Sequence, residues 1–161
     1  MTALPLLERG ELRVVVPVEA SPARAWEAYT RPELRRRWMR MPGVRDVEEL
    51  DLTEGGHERL TSVFAIEEDR RERLEYASHF LEIVARHRIT WSFAVRVDGL
   101  LRVASLATVR FGGDVDSAEV VHEEQFTVFA ATPEELAAGV AERRGSTRLQ
   151  LNGFRGVAAS P

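Results

Sequence analysis

The chain has 161 residues, with 22 basic side chains against 26 acidic ones and a net charge of −4 at pH 7. That length reads as one compact domain, and the acidic balance argues against general nucleic-acid binding. There is no cysteine and no lysine, which excludes disulfides, thiolate catalysis, cysteine-based zinc sites, Schiff-base chemistry and a P-loop lysine.

Residues 1–10 have no apolar core of signal-peptide length and read as an N-terminal tail before a single domain over 11–158. No stretch approaches the ~20 apolar residues of a membrane span, so a cytoplasmic protein is expected, with neither membrane nor nucleic acid as partner. From Glu11 to Val18, Leu12, Val14, Val16 and Val18 alternate as in a strand. Pro17 has no N–H to give a ladder and marks this strand as an end or an edge. Ser21-Pro22 supplies an N-cap and a first-turn proline for a short helix carrying Ala25, Trp26, Ala28 and Tyr29. Pro32 opens a second short helix that closes near Trp38.

Strands are expected over Val44 to Leu52 and His57 to Glu67, separated by the turn signal Thr53-Glu54-Gly55-Gly56. Glu68 to Arg73 reads as a charged loop. Three further strands follow at about 75–84, 88–97 and 100–111, with Asp98-Gly99 as a hairpin turn. The last strand runs from Ser117 to Phe129. Thr132-Pro133-Glu134-Glu135 then caps a helix to about Ala158, with a kink or break expected near Gly145. The order predicts an α+β fold, in which a curved antiparallel sheet of about seven strands closes over a long C-terminal helix. An apolar space between sheet and helix follows from that arrangement.

Register inference sharpens the 75–97 hairpin. A turn centred on Arg86 sets Ile83 opposite Ile89, Leu81 opposite Trp91 and His79 opposite Phe93, on one face. His79 is therefore expected to point inward. For the next hairpin two registers remain open: a plain two-residue turn puts Leu106 and Thr108 inside, whereas a bulge puts Ala107, Val109 and Phe111 inside.

Several segments resemble a bacterial family named after activators of the ATPase of the ninety-kilodalton heat-shock chaperone. That family lies within the START-like, polyketide-cyclase-like (SRPBCC) superfamily. Pro17 to Trp38 (PVEASPARAWEAYTRPELRRRW) is similar to the family's opening, and Gly55-Gly56 to its glycine pair. Phe80 to Phe93 (FLEIVARHRITWSF) resembles its central hairpin, while Leu106 to Phe111, Glu124-Gln125 and Gly145 to Phe154 resemble its later strands and final helix. Two departures stand out: Ala85-Arg86 where the family often has prolines, and Ser146 where it often has tryptophan. The resemblance implies the helix-grip fold with a cavity between sheet and helix, and no fixed reaction.

Candidate site residues follow from these placements. His79 is the sharpest, as a ligand-orienting group or general base, against a plain core histidine. Trp91 and Phe93, with Phe64, Leu81, Leu151 and Phe154, read either as walls of a ligand cavity or as ordinary core. Trp38, with Met39 and Met41, could line the cavity mouth or seal the helices on the sheet. Gln125 could present a polar group to a ligand or lie exposed. Arg35, Arg36, Arg37 and Arg40 read as a solvated helix face, and Glu123–Glu124 as solvent-facing charge. The histidines His57, His79, His87 and His122 show no metal-ligand spacing, and no cofactor is expected.

The leading expectation is a binder of a small hydrophobic molecule without catalysis. The alternatives are a cyclase- or hydratase-like enzyme using His79 as acid–base, and a stimulator of a chaperone ATPase acting through a protein surface. The sequence leaves a homodimer open.

Overall fold

A computed structural model describes residues 5–161. Its first strand, β1, spans Leu6–Val18. It starts five residues before the expected Glu11, because Leu6 to Gly10 continue the antiparallel ladder with the last strand. The earliest part of the expected tail, residues 1–4, lies outside the described residues.

Two short helices follow, α1 at Pro22–Thr30 and α2 at Pro32–Trp38. The Ser21 hydroxyl accepts from the Arg24 N–H at 3.1 Å, the N-cap its sequence position suggests. The remaining strands are β2 (Val44–Leu50), β3 (His57–Glu67), β4 (Arg70–Val84), β5 (Arg88–Val97), β6 (Leu100–Asp114) and β7 (Ser117–Ala130). A single 27-residue helix, α3 (Pro133–Ala159), closes the chain. All seven strands form one antiparallel sheet in the order β1-β7-β6-β5-β4-β3-β2. Pro17 sits on an edge strand, where a missing N–H costs least. This is the helix-grip arrangement: a curved sheet around one long helix.

The charged stretch Glu68 to Arg73 is not a loop. Only Glu68 and Asp69 turn, and Arg70 to Arg73 already pair with β3. Gly55, with φ of 82°, turns the chain into β3. A Cβ on Gly56 would come within 2.2 Å of the Asp51 carbonyl, so no larger residue fits there. Gly55 and Gly56 bond to the backbone of Phe80 at 2.8 and 3.0 Å, tying this turn to the middle of β4.

The β4–β5 hairpin turns at Arg86, which takes a left-handed φ of 65°. Ile83 pairs with Ile89 as expected. Phe80, however, pairs with Trp91, and Ser78 with Phe93, because Leu81 is an extra residue bulged out of β4. A bulge reverses the side-chain alternation on its far side. Phe80, Ser78 and Tyr76 therefore face inward, while His79 and Leu81 are exposed on the outer face. The expectation that His79 points inward is corrected by that one residue.

The β5–β6 hairpin resolves toward its bulged alternative. Val97 pairs with Leu100 across the Asp98-Gly99 turn, but Arg102 bulges, so Val95 pairs with Val103. Ala107, Val109 and Phe111 are buried and Leu106 is exposed.

The core lies between the inner sheet face and the three helices. Phe154 is fully buried there, edge-on to Tyr29 and Trp38 at 5.4 and 5.5 Å between ring centroids. α3 is one continuous helix through Gly145, so the break that Gly145 suggests does not form. Its buried large apolar residues, Leu151, Phe154 and Val157, are all in the C-terminal half, and that packing outweighs the ~1 kcal/mol by which a glycine weakens a helix. The N-terminal half packs Leu136 and Val140 against Leu12, Phe126 and Val128 of β1 and β7, and turns small and polar residues, among them Ala138, Gly139, Glu142 and Arg143, to the space beside them. At Gly139 a Cβ would lie 2.7 Å from Val128, so this half approaches β7 closely and fills the space above β5 incompletely.

Candidate functional site

The incompletely filled space is a cavity of about 480 Å³. Its roof is one face of α3, from Ala138 and Gly139 through Glu142, Arg143, Ser146 and Thr147 to Leu151, recurring at helical spacing. Its floor is apolar: Tyr76 on β4, Trp91, Phe93 and Val95 on β5, and Val103 on β6. Tyr29, Trp38 and the segment Met39 to Pro42 close one end, and charged side chains including Arg40, Arg70 and Arg102 reach its edge.

One wall is polar. On β7, alternation sends Val120, His122, Glu124 and Phe126 inward. The Glu124 carboxylate, only 3% exposed, accepts four hydrogen bonds. Arg143 grips it from α3 through Nε at 2.8 Å and Nη2 at 3.0 Å. Ser105 Oγ donates at 2.8 Å, and His122 Nε2 lies 3.1 Å from the other oxygen. Burial pushes the Glu124 pKa up, but the His122 hydrogen bond and the Arg143 guanidinium overcome it and hold the group at about 2. Glu124 is therefore an ionised acceptor with no bonding capacity left for a ligand.

That carboxylate fixes the tautomer of His122. An acceptor-only partner requires the proton on Nε2, so the neutral ring carries its lone pair on Nδ1. Nδ1 is buried with no hydrogen-bond partner, and so is the indole N–H of Trp91. The two rings stand edge to face, 5.7 Å apart, and both residues line the cavity. Arg143 lies over the Phe93 ring at 4.9 Å, so the polar wall and the aromatic floor are continuous.

A second buried ion pair sits beneath the cavity. Arg35 is 3% exposed and forks onto Glu58 at 2.7 Å through both Nε and Nη2, with Nη1 on the Tyr29 carbonyl. Burial works against the Arg35 charge, and Glu58 more than offsets it. Burial also raises the Tyr29 hydroxyl to about 12, against the pull of Arg35. The arginine cluster is thus not one solvated face. Arg35 shares the inner side of α2 with Trp38, whereas Arg36 and Arg37 are exposed.

Of the sequence candidates, the structure places Trp38, Trp91, Phe93 and Leu151 on the cavity wall. Trp38 is also a seal, its indole N–H donating to the Ala28 carbonyl at 2.8 Å. Phe154 is buried behind the wall, and Phe64 is half-buried beside Gly43, away from the cavity. His79, Leu81 and Gln125 are exposed on the outer face. Sequence reasoning missed His122, Arg143 and the inward placement of Glu124. The two-residue spacing of Val120, His122, Glu124, Phe126 and Val128 was the signal for the β7 pair. Among the described residues no three His, Asp or Glu side chains cluster as metal ligands, and no helix is long and apolar enough to cross a membrane.

A family model described as activator of Hsp90 ATPase homolog 1-like protein matches residues 19–149. An uncharacterized protein from Rhizobium leguminosarum has a similar solved structure, with 23% identity over 97% of this chain and 98% of that one and a TM-score of 0.80. The Mll3558 protein of Rhizobium loti is similar at 23% identity over 92% and 99% of the two chains, with a TM-score of 0.71. Norcoclaurine synthase from Thalictrum flavum, solved in complex with dopamine and hydroxybenzaldehyde, shares the fold at 18% identity over 94% and 87%, with a TM-score of 0.62. None of the curated proteins matches the chain in sequence.

Proposed function

The chain belongs to the activator of Hsp90 ATPase homolog 1-like family, within the START-like superfamily, and we propose that it binds a small, largely apolar molecule between its sheet and α3. The observation that carries this reading is the cavity itself. At about 480 Å³ it falls in the range of small-molecule sites, ~300–1,000 Å³. Its floor of Tyr76, Trp91 and Phe93 suits a flat ring system, while His122 of β7 and Arg143, Ser146 and Thr147 of α3 add polar groups beside and above it. The fold neighbour solved with dopamine and hydroxybenzaldehyde, both small aromatics, supports the same reading.

The test is a thermal-shift screen against fatty acids, polycyclic aromatics, flavonoids and sterols. A ligand at a hundredfold excess over its Kd stabilises the native state by about 2.7 kcal/mol. A shift of several degrees confined to one class supports the proposal. No shift across the panel overturns it.

A second reading, an enzyme resembling polyketide cyclases, is favoured by one observation: His122 is oriented by a buried carboxylate, as a histidine base requires. The acid–base role foreseen for His79 has no geometric support, since that side chain faces solvent on the other side of the sheet. Under this reading His122→Ala abolishes turnover of a bound ligand while His79→Ala leaves it unchanged. The reverse result would sink it.

A further inference from the structure

We propose that Trp91 and His122 form a hydroxyl-recognising subsite, so that the cavity takes ring compounds bearing a phenolic or enolic O–H. The inference rests on the cavity-binding reading and adds the chemical class of the ligand. Two unpartnered ring nitrogens sit on neighbouring rings in one wall, both on side chains more than nine-tenths buried. Their roles are opposite. Trp91 Nε1–H can only donate. In the neutral ring His122 Nδ1 accepts, because the Glu124 carboxylate takes the proton on Nε2.

One donor beside one acceptor selects among ligand groups. A hydroxyl satisfies both, its oxygen accepting from Trp91 and its proton going to His122. A carbonyl or ether oxygen satisfies only Trp91 and leaves a lone pair facing the Nδ1 lone pair. A carboxylate makes the same clash with a full charge. A bare hydrocarbon gives neither nitrogen a partner and gains nothing from them. Glu124 takes no part in ligand contact, because its four acceptor positions are filled by Arg143, Ser105 and His122. It acts on the ligand only through the tautomer of His122, which makes it a positioning residue.

The experiment compares 2-naphthol with 2-methoxynaphthalene and 2-acetonaphthone by titration calorimetry on the full chain. The three share a two-ring body and differ at the polar group. The subsite predicts that naphthol binds at least about tenfold more tightly than either comparison compound, the worth of one to two hydrogen bonds. In Trp91→Phe, which keeps a ring in place and removes only the N–H, that ratio should shrink to about twofold or less. The ¹⁵N resonances of His122 give a second readout. Nε2 should carry the proton in the free protein, and naphthol alone should shift Nδ1. Equal affinities for naphthol and the ether, with measurable binding of both, would overturn the subsite and leave the cavity reading standing. Binding of none of the three would overturn the subsite, and the thermal-shift panel would then decide the cavity reading separately. A proton on Nδ1 in the free protein would overturn the subsite whatever the affinities.

Discussion

Replacing Glu124 by glutamine should destabilise the fold in a way that depends on pH. The carboxyl sits at about 2 in the folded chain, against an ordinary value of 4.5. At 1.36 kcal/mol per tenfold in acid strength, that gap corresponds to roughly 3 kcal/mol of stability. A carboxyl whose folded pKa lies below its unfolded one contributes fully above the unfolded value. As pH falls the unfolded chain takes up the proton first, so the contribution fades between about pH 5 and pH 2. Glutamine cannot titrate and also leaves the buried side of Arg143 without its anionic partner. Urea unfolding at pH 7, 5 and 3 should therefore show Glu124→Gln less stable by about 3 kcal/mol at pH 7, with the gap narrowing steadily on acidification. All other carboxyl groups are common to both proteins, so the difference reports Glu124 together with its partners His122 and Arg143. A gap that stays constant from pH 7 to pH 3, or none at pH 7, would refute the buried-network account.

Other substitutions test the rest of the architecture. Phe154→Ala empties a fully buried site between Tyr29 and Trp38 and should cost about 3–5 kcal/mol in urea unfolding. Glu58→Gln leaves the Arg35 guanidinium buried without its partner and should cost about 3–5 kcal/mol, whereas the double change Arg35→Met with Glu58→Met should recover most of that loss. His79→Ala, on the exposed outer face, should change stability by less than about 0.5 kcal/mol and leave ligand-induced thermal shifts intact; a lost shift would place the ligand on the wrong side of the sheet.

The elements were legible where local chemistry decides them. Ser21-Pro22, Thr132-Pro133 and Asp98-Gly99 each act within a few residues, and the caps and turn form where they stand. The alternation of β5 correctly put Ile89, Trp91 and Phe93 on the inner face. The failures share a physical origin. A bulge is one extra residue with no compositional mark, so Leu81 could not be told from its neighbours, and it reversed the facing of His79. Phe80, beside the bulge, bonds to Gly55 and Gly56, a contact remote in sequence. Charge misled in two places. Glu123 and Glu124 look alike as a pair, but adjacent strand residues point to opposite faces, so only Glu124 is buried. Arg35 looks like its neighbours Arg36 and Arg37, yet it lies three residues before Trp38, on the buried face of α2. A buried charge becomes readable only with its partner, and Glu58 and Arg143 are 23 and 19 residues away from the groups they hold.

The most direct measurement is a ¹H–¹⁵N correlation spectrum of the chain titrated with 2-naphthol. Saturable shifts are expected at the Trp91 indole N–H and at the backbone of Phe93, His122, Thr147 and Leu151, which line the cavity from both sides. His79 and Gln125 on the outer face should stay still. Shifts confined to the outer face, or none at a concentration where the ligand stabilises the fold, would contradict a binding site between the sheet and α3.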